Sequence, residues 1–355
     1  MNVLQISADR SKRGILYPNS PAFKRQKAYA QRFGRLDIIA FSLKSDGAKV
    51  IEDSNLHIYP TNSSSRFLYG IDAKRVARKL PRPDVISVQD PFETGLVGWW
   101  IARKFGAPLH VQVHTDFLSP EYARLSMLNR VRVFVAGFVL KRAQRVRVVS
   151  ERIKKSIEER YHIDKPISVL PIFVDVEKFR NAGPQPFPYL KDRIKLLVVA
   201  RLEPEKNVQL AVRAFAEAAP ENACLIITGE GTMKEVIMQE RARHPSVFER
   251  VFFSEGETNL PAQYKAADLV LVPSLYEGYG LVIIEALAAG KPVLSTDVGI
   301  AREAGAIVTT PEKFAEALAQ WFKDGPREGQ LKNYPYANFD EYVQKYCDDI
   351  YVCSS

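Results

Sequence analysis

Two carboxylates eight residues apart, Glu277 and Glu285, bracket a glycine-bearing loop in residues 273–293, PSLYEGYGLVIIEALAAGKPV. The apolar run DLVLV at 268–272 reads as a buried parallel strand, and residues 281–289 carry a helical pattern. A strand, a loop holding Gly278 and Gly280, and a helix beginning at Leu281 leave backbone N–H groups at a helix N-terminus. There the macrodipole favours an anion, and glycine permits its close approach, so a phosphate is the first ligand to suspect. Two helical turns span about seven residues, so both carboxylates could touch one elongated ligand if Glu285 faces the loop. The plainer alternative makes Glu285 a solvated helix residue and Glu277 a cap. Ile283, Ile284, Leu287 and Ala288 surround Glu285 with apolar faces, where a carboxylate is expensive unless it has a partner.

A second charged constellation lies in ARLEPEKN, where Arg201 and Lys206 stand five residues apart on a strand-to-helix loop. Arg201 as a fork and Lys206 as a point charge can both reach one diphosphate, although a solvated pair would look the same. Gly229 and Gly231 in ITGEG fit a tight strand-to-helix turn. His114 follows an apolar strand directly in HVQVHTDF, with His110 inside the strand a weaker candidate and Asp116 in the same loop. The loop ADRSKRGILYPNSP after the first strand holds Gly14 among Arg10, Lys12 and Arg13.

Each of these groups needs a strand end to hold it. Residues 3–7, 36–41, 84–88, 109–113 and 146–149 read as buried strands, with helices over 21–33, 71–80, 95–105 and 125–143. Ser20 is the N-cap and Pro21 the first turn of the earliest helix. The alternation restarts with strands at 194–200, 223–228 and 251–253 and helices at 208–218 and 233–243. Strands alternating with helices imply doubly wound parallel sheets, which bind ligands at the carboxyl ends of their strands. At 355 residues two domains are expected. We read them as 1–180 and 194–333, joined by a proline-rich linker at 181–193 and followed by a helical segment at 334–355 that crosses back to the first domain.

Hydrophobic residues make up 46% of the chain and mean hydropathy is −0.17, which describes a soluble protein. No run reaches the ~18 apolar residues of a membrane helix, and MNVLQISADR lacks a signal peptide's order, so the expectation is cytoplasmic. Cys224, Cys347 and Cys353 are too scattered for a disulfide framework or a zinc site. Charge is uneven. Residues 1–180 hold 32 Lys and Arg against 17 Asp and Glu, net +15, whereas 181–355 hold 18 against 24, net −6. A basic half points to an anionic partner, unless its charge is merely solvated.

The segment EGYGLVIIEALAAGKPVLSTDVG resembles the E-x7-E signature of retaining glycosyltransferases of family 4, which have the GT-B fold of two facing Rossmann-like domains and use nucleotide-sugar donors. The resemblance covers nearly the whole chain and implies that 1–180 binds the acceptor and 194–333 the nucleotide-sugar, with roles for residues in each. Arg201, Lys206 and the backbone at Gly280 and Leu281 bind the donor diphosphate, Glu285 the nucleotide ribose, and Glu277 and His114 the donor sugar. Gly14, Gly229 and Gly278 belong to the donor loops, and Asp116 reaches the sugar or acceptor. The chain departs from the pattern at Gly14, where the family has a glycine pair, at Ile172-Phe173, where it has Asn-Gly, and at Ala200, where it has glycine. No Asp-x-Asp motif stands at a strand end, so no metal and no cofactor is expected, and cationic side chains serve instead.

The function expected is transfer of a sugar, with retention, from a UDP- or GDP-sugar to a hydroxyl acceptor, a lipid-linked or glycan one in cell-envelope polysaccharide or glycolipid synthesis. A nucleotide-sugar 2-epimerase shares the architecture, and a non-catalytic polyanion-binding protein would explain the basic half but not the second set of loops; nucleic acid is not an expected partner. The stretch MLNRVRVFVAGFVLKRAQRVR interleaves apolar residues with Arg130, Arg132, Lys141, Arg142, Arg145 and Arg147, as either an interfacial helix on an anionic membrane or a packed helix with a basic end would.

Overall fold

Runs rich in Val, Ile and Leu, each closed by polar or glycine-bearing turns, build the strands of two separate sheets. The computed structural model describes residues 1–9, 14–184, 190, 192–254 and 259–354. They fall into two units, one of Met1–Pro171 with Tyr336–Ser355, the other of Ile172–Pro335.

The first unit holds β1 (Asn2–Ser7), β2 (Arg35–Ala40), β3 (Ile51–Asp53), β4 (Leu56–Pro60), β5 (Val85–Val88), β6 (Leu109–Val113), β7 (Arg145–Val148) and β8 (Ile167–Val169). Their order is β3-β4-β2-β1-β5-β6-β7-β8, parallel except for the β3–β4 pair. Ile6, Ile38, Val88 and Val111 are fully buried, as strands covered by helices on both faces require. Helix Pro21–Arg32 starts as the sequence predicts, with Ser20 Oγ accepting from the Phe23 N–H at 3.0 Å. The helix expected over 125–143 runs over Met127–Leu140, and a separate short helix, Pro120–Leu125, which the pattern does not predict, precedes it. Ser126 parts them with an extended backbone, φ −162°, and caps the second by accepting from the Asn129 N–H at 3.1 Å. The apolar periodicity runs through that serine and hides the cap.

Helix Phe339–Ser354 completes this unit. The Tyr346 ring stacks on Tyr29 at 4.0 Å, and the Tyr29 and Tyr342 hydroxyls are 2.6 Å apart. Asp349 accepts from His110 Nε2 at 2.9 Å and pairs with Arg145. Arg147, 2% exposed, donates to Gln112 Oε1 at 2.8 Å and to the Leu170 carbonyl. His110 is thus a core histidine whose Nε2–H faces a carboxylate and whose Nδ1 meets Ser87 Oγ at 3.0 Å.

The second unit holds β9 (Ile194–Val199), β10 (Ala223–Thr228), β11 (Val251–Ser254), β12 (Leu269–Val272), β13 (Val293–Thr296) and β14 (Ile307–Thr309), ordered β11-β10-β9-β12-β13-β14 and all parallel. Leu196, Val198, Phe215, Leu225, Leu271 and Trp321 form its core. The division between units falls at Pro171–Ile172, ahead of the linker expected at 181–193, of which 185–189 and 191 lie outside the described residues. The cause is helix Val176–Arg180, which packs on helices Leu260–Ala266 and Leu281–Ala288, its Phe179 ring 5.7 Å from Tyr264. Proline and glycine mark irregular chain, but buried contacts decide where a unit ends.

Candidate active site

In the second sheet the strand order reverses at β9, which lies between β10 and β12. The crevice outside the carboxyl ends of the strands at such a reversal is where open α/β sheets bind ligands. The loop after β9 carries Arg201 and Lys206, and the loop after β12 carries Glu277, Gly278 and Gly280. The two loops are tied together by the Leu275 N–H donating to the Glu205 carbonyl at 2.8 Å. Lys206 Nζ donates to Glu277 Oε1 at 2.6 Å, and Ser274 Oγ donates to the same oxygen at 2.8 Å. The Lys206 and Glu277 side chains are only 17% and 16% exposed, so their attraction is screened far less than at an open surface. The Lys206 ammonium has two further N–H donors. Arg201 is not drawn into this pair. Its side chain is 72% exposed and bonds Glu205 Oε1 at 3.0 Å.

Helix Leu281–Ala288 opens on Gly280 in a left-handed conformation, φ 93°, and this glycine N-cap has no side chain to cap the first turn. Gly229 has a packing reason of its own: a Cβ there would lie 1.8 Å from the Ala200 carbonyl oxygen, so glycine is what lets the β10 loop close on the β9 loop.

Glu285 stands apart from the Lys206–Glu277 pair. Its Oε2 accepts from the Tyr264 hydroxyl at 2.8 Å, and burial pushes its carboxyl up to about 7, with the Tyr264 bond and the Lys178 charge pulling the other way. Tyr264, fully buried in helix Leu260–Ala266, is a site residue the sequence reading missed. Its signal was faint, a tyrosine in an apolar helix with no motif around it.

The first-unit residues sit at the carboxyl ends of β1, β5 and β6, around the reversal between β1 and β5. His114 is partly buried, its Nδ1 is buried without a hydrogen-bond partner, and burial with the nearby Arg147 and Arg25 charges lowers it to about 3, so it is neutral at pH 7. Asp116 is buried, which raises its carboxyl despite the Arg152 charge. Gly14 leaves room for the Asp9 carboxylate, since a Cβ would meet Asp9 Oδ1 at 2.7 Å, and its carbonyl accepts from Ser20 Oγ at 2.8 Å. Arg10, Lys12 and Arg13 lie outside the described residues. Asp90, just past β5, was also missed. Burial pushes its carboxyl up to about 6 while Oδ1 accepts from the Phe92 N–H at 2.7 Å, so it serves the start of helix Glu93–Phe105. Among the described residues, no group of three or more His, Cys, Asp or Glu is placed to hold a metal.

Two family profiles match the chain, "Glycosyltransferase Family 4" over residues 26–178 and "Glycosyl transferases group 1" over 182–338. Alpha-monoglucosyldiacylglycerol synthase of Streptococcus pneumoniae is 30% identical over 250 residues, 65% of this chain and 56% of that protein. D-inositol 3-phosphate glycosyltransferase of Salinispora tropica is 28% identical over 273 residues, 67% of this chain and 56% of that protein. The chain thus spans about half the length of these curated relatives. Among solved structures, HepE of Anabaena in complex with UDP and glucose superposes with a TM-score of 0.69 at 18% identity, covering 100% of this chain and 97% of that one. Sucrose-phosphate synthase of Thermosynechococcus elongatus gives 0.71 at 19%, covering 99% and 96%.

Proposed function

From a chain that belongs to the family 4 glycosyltransferases and has the two Rossmann-like α/β units of the GT-B fold, we propose an enzyme that moves a sugar, with retention and without a metal, from a UDP- or GDP-sugar to a hydroxyl acceptor. The observation that carries this reading is the Lys206–Glu277 pair beside the uncapped start of helix Leu281–Ala288, at the strand reversal of the second unit. A cation and helix N–H groups suit a diphosphate that gains charge as it leaves, and a carboxylate held by that same cation suits sugar hydroxyls. Arg201 and Lys206 offset the charge on the leaving diphosphate, and the backbone at Gly280 and Leu281 binds it. Glu277 takes the donor sugar's hydroxyls and Glu285 the ribose. His114, neutral, accepts or donates a single hydrogen bond to the sugar, Asp116 lies toward the acceptor, and Gly14, Gly229 and Gly278 shape the donor loops.

The acceptor in this reading is lipid-borne or a soluble polyol phosphate, the chemistry named in the two relatives above. A lipid acceptor goes with docking of the first unit on an anionic membrane surface. No helix among the described residues is long and apolar enough to cross a membrane, and the docking proposed is peripheral. The test is a thermal-shift panel of UDP- and GDP-sugars followed by NMR of the product's anomeric configuration. Stabilisation by one donor class and a product that keeps the donor's configuration are expected. No shift with any nucleotide-sugar, or an inverted product, overturns the reading.

A further inference from the structure

One helical layer of the first unit carries large apolar side chains that nothing in the fold covers. Helix Met127–Leu140 buries Ala136, Gly137, Val139 and Leu140 but leaves Met127 at 70%, Leu128 at 54%, Val131 at 56% and Phe134 at 80% exposed. Met127, Val131, Phe134 and Phe138 share one stripe at i, i+4, i+7 and i+11, and the stripe ends at Arg142. Helix Glu93–Phe105 packs alongside and presents Leu96, Trp99 and Trp100. The Trp99 and Phe138 rings meet edge to face at 4.8 Å.

Where the stripe ends, a shallow cavity of about 700 Å³ opens beside the start of β6, lined by Arg103, Lys141, Arg142 and Lys165 and by no carboxylate. Among the described residues none of these four cations has an ion pair. Two of them are held in place by rings, Arg142 over Phe138 at 3.7 Å and Arg103 over Trp99 at 5.4 Å. In helices Glu93–Phe105 and Pro120–Leu125 the carboxylates are already matched, Glu93 by Arg132 and Glu121 by Arg124. Basic residues at helix C-termini also complement the helix dipole, which accounts for Arg103 and Lys141 but leaves the bare Phe134 stripe unexplained.

We propose that this face is the membrane-docking surface: Val131, Phe134 and the Met127 end lie in the lipid interface, and the pocket of Arg103, Lys141, Arg142 and Lys165 takes a lipid headgroup phosphate. The assignment rests on the membrane part of the proposed function and says which face performs it. An apolar stripe supplies area-dependent attachment, tryptophans favour the headgroup level, and unmatched cations select anionic lipid. A second copy of this chain is a poor occupant, because a two-fold contact would set these cations against themselves.

The test is sedimentation of the full chain with phosphatidylglycerol or phosphatidylcholine vesicles over a salt series. Wild type is expected on the anionic vesicles at low salt and released as salt rises. Lys141→Ala with Arg142→Ala lowers the partition coefficient about fivefold per cation removed. Phe134→Ser and Val131→Ser each lower it severalfold, at exposed positions where folding, followed by circular dichroism, is unaffected. Trp99 and Trp100 give a readout that needs no variant, since the third tryptophan, Trp321, is buried in the second unit: brominated phosphatidylglycerol quenches part of the emission. If wild type ignores both vesicles, the membrane part of the proposed function falls and this surface with it. If wild type binds anionic vesicles while the variants bind equally, or sediments without quenching, docking stands and this face is the wrong one. Equal binding to neutral vesicles overturns the phosphate role of the pocket.

Discussion

Lys206 Nζ lies 2.6 Å from Glu277 Oε1, which joins two loops 71 residues apart in sequence and fixes both charges before any donor arrives. Lys206→Ala and Arg201→Ala are each expected to lower turnover more than tenfold in a folded protein, since one charge-assisted contact to a leaving diphosphate is worth roughly 2–4 kcal/mol. Because Lys206 and Glu277 act as a pair, the Lys206→Ala/Glu277→Gln double variant loses less than the product of the single losses. Steady-state kinetics decide this, and wild-type turnover in either single cation variant removes the diphosphate assignment.

If Glu285 holds the donor ribose as proposed, its carboxyl, raised to about 7, gives donor binding a pH dependence. A carboxylate accepts a ribose hydroxyl bond better than a carboxylic acid does, so the donor KM rises by up to about tenfold as pH falls from 8 to 6. Glu285→Gln flattens that profile. The stability effect has the opposite sense: a folded-state value above the ordinary 4.5 means the native state holds the proton more tightly, so this group's contribution is present at low pH and is lost as pH rises from about 4.5 through 7. Glu285→Gln is therefore expected to melt higher than wild type at pH 8, and an unchanged donor profile together with an unchanged melt would contradict the burial of this group.

Chelation is the third test. If Arg201 and Lys206 supply the charge that a divalent metal supplies in other transferases, turnover in EDTA stays within twofold of the untreated enzyme. Complete loss, restored by magnesium or manganese, contradicts the mechanism.

In the first unit, Asp349 loses solvent on burial, but the bonds from His110 and Arg145 outweigh that and hold its carboxyl down at about 2. Its contribution is present above about pH 4 and fades as pH falls toward 2. Asp349→Asn should cost about 2 kcal/mol at pH 7, with the gap to wild type closing in acid. Denaturant unfolding at pH 7 and pH 3 measures both, and a gap that does not shrink assigns the loss to something other than charge.

Much of the fold was legible because its strands are unbroken apolar runs: 109–113, 194–199 and 223–228 stand where the sequence pattern puts them. Short edge strands such as β3 and β14, three residues each, carry too little pattern to be read. The two loops of the second unit were found through charge and glycine, but not the partners that tune them. Tyr264 contacts Glu285 across 21 residues and Ser274 steadies Glu277, and neither has a composition that sets it apart. Ser126 shows the converse failure, a single polar residue inside the range read as one helix that sets where helix Met127–Leu140 starts.

Helix Phe339–Ser354 has a consequence for how the protein is made. Tyr342, Tyr346 and Asp349 supply buried partners to Tyr29, Arg147, His110 and Arg145, all of which leave the ribosome long before it. The second unit is one continuous segment, Ile172–Pro335, and can close as soon as it emerges. The first unit, begun earlier, has to wait through that whole interval with an arginine and a histidine in an unfinished core. Synthesis order and completion order are therefore inverted, and a pause or cleavage before residue 339 leaves the earlier-made unit, not the later one, as the chaperone's client.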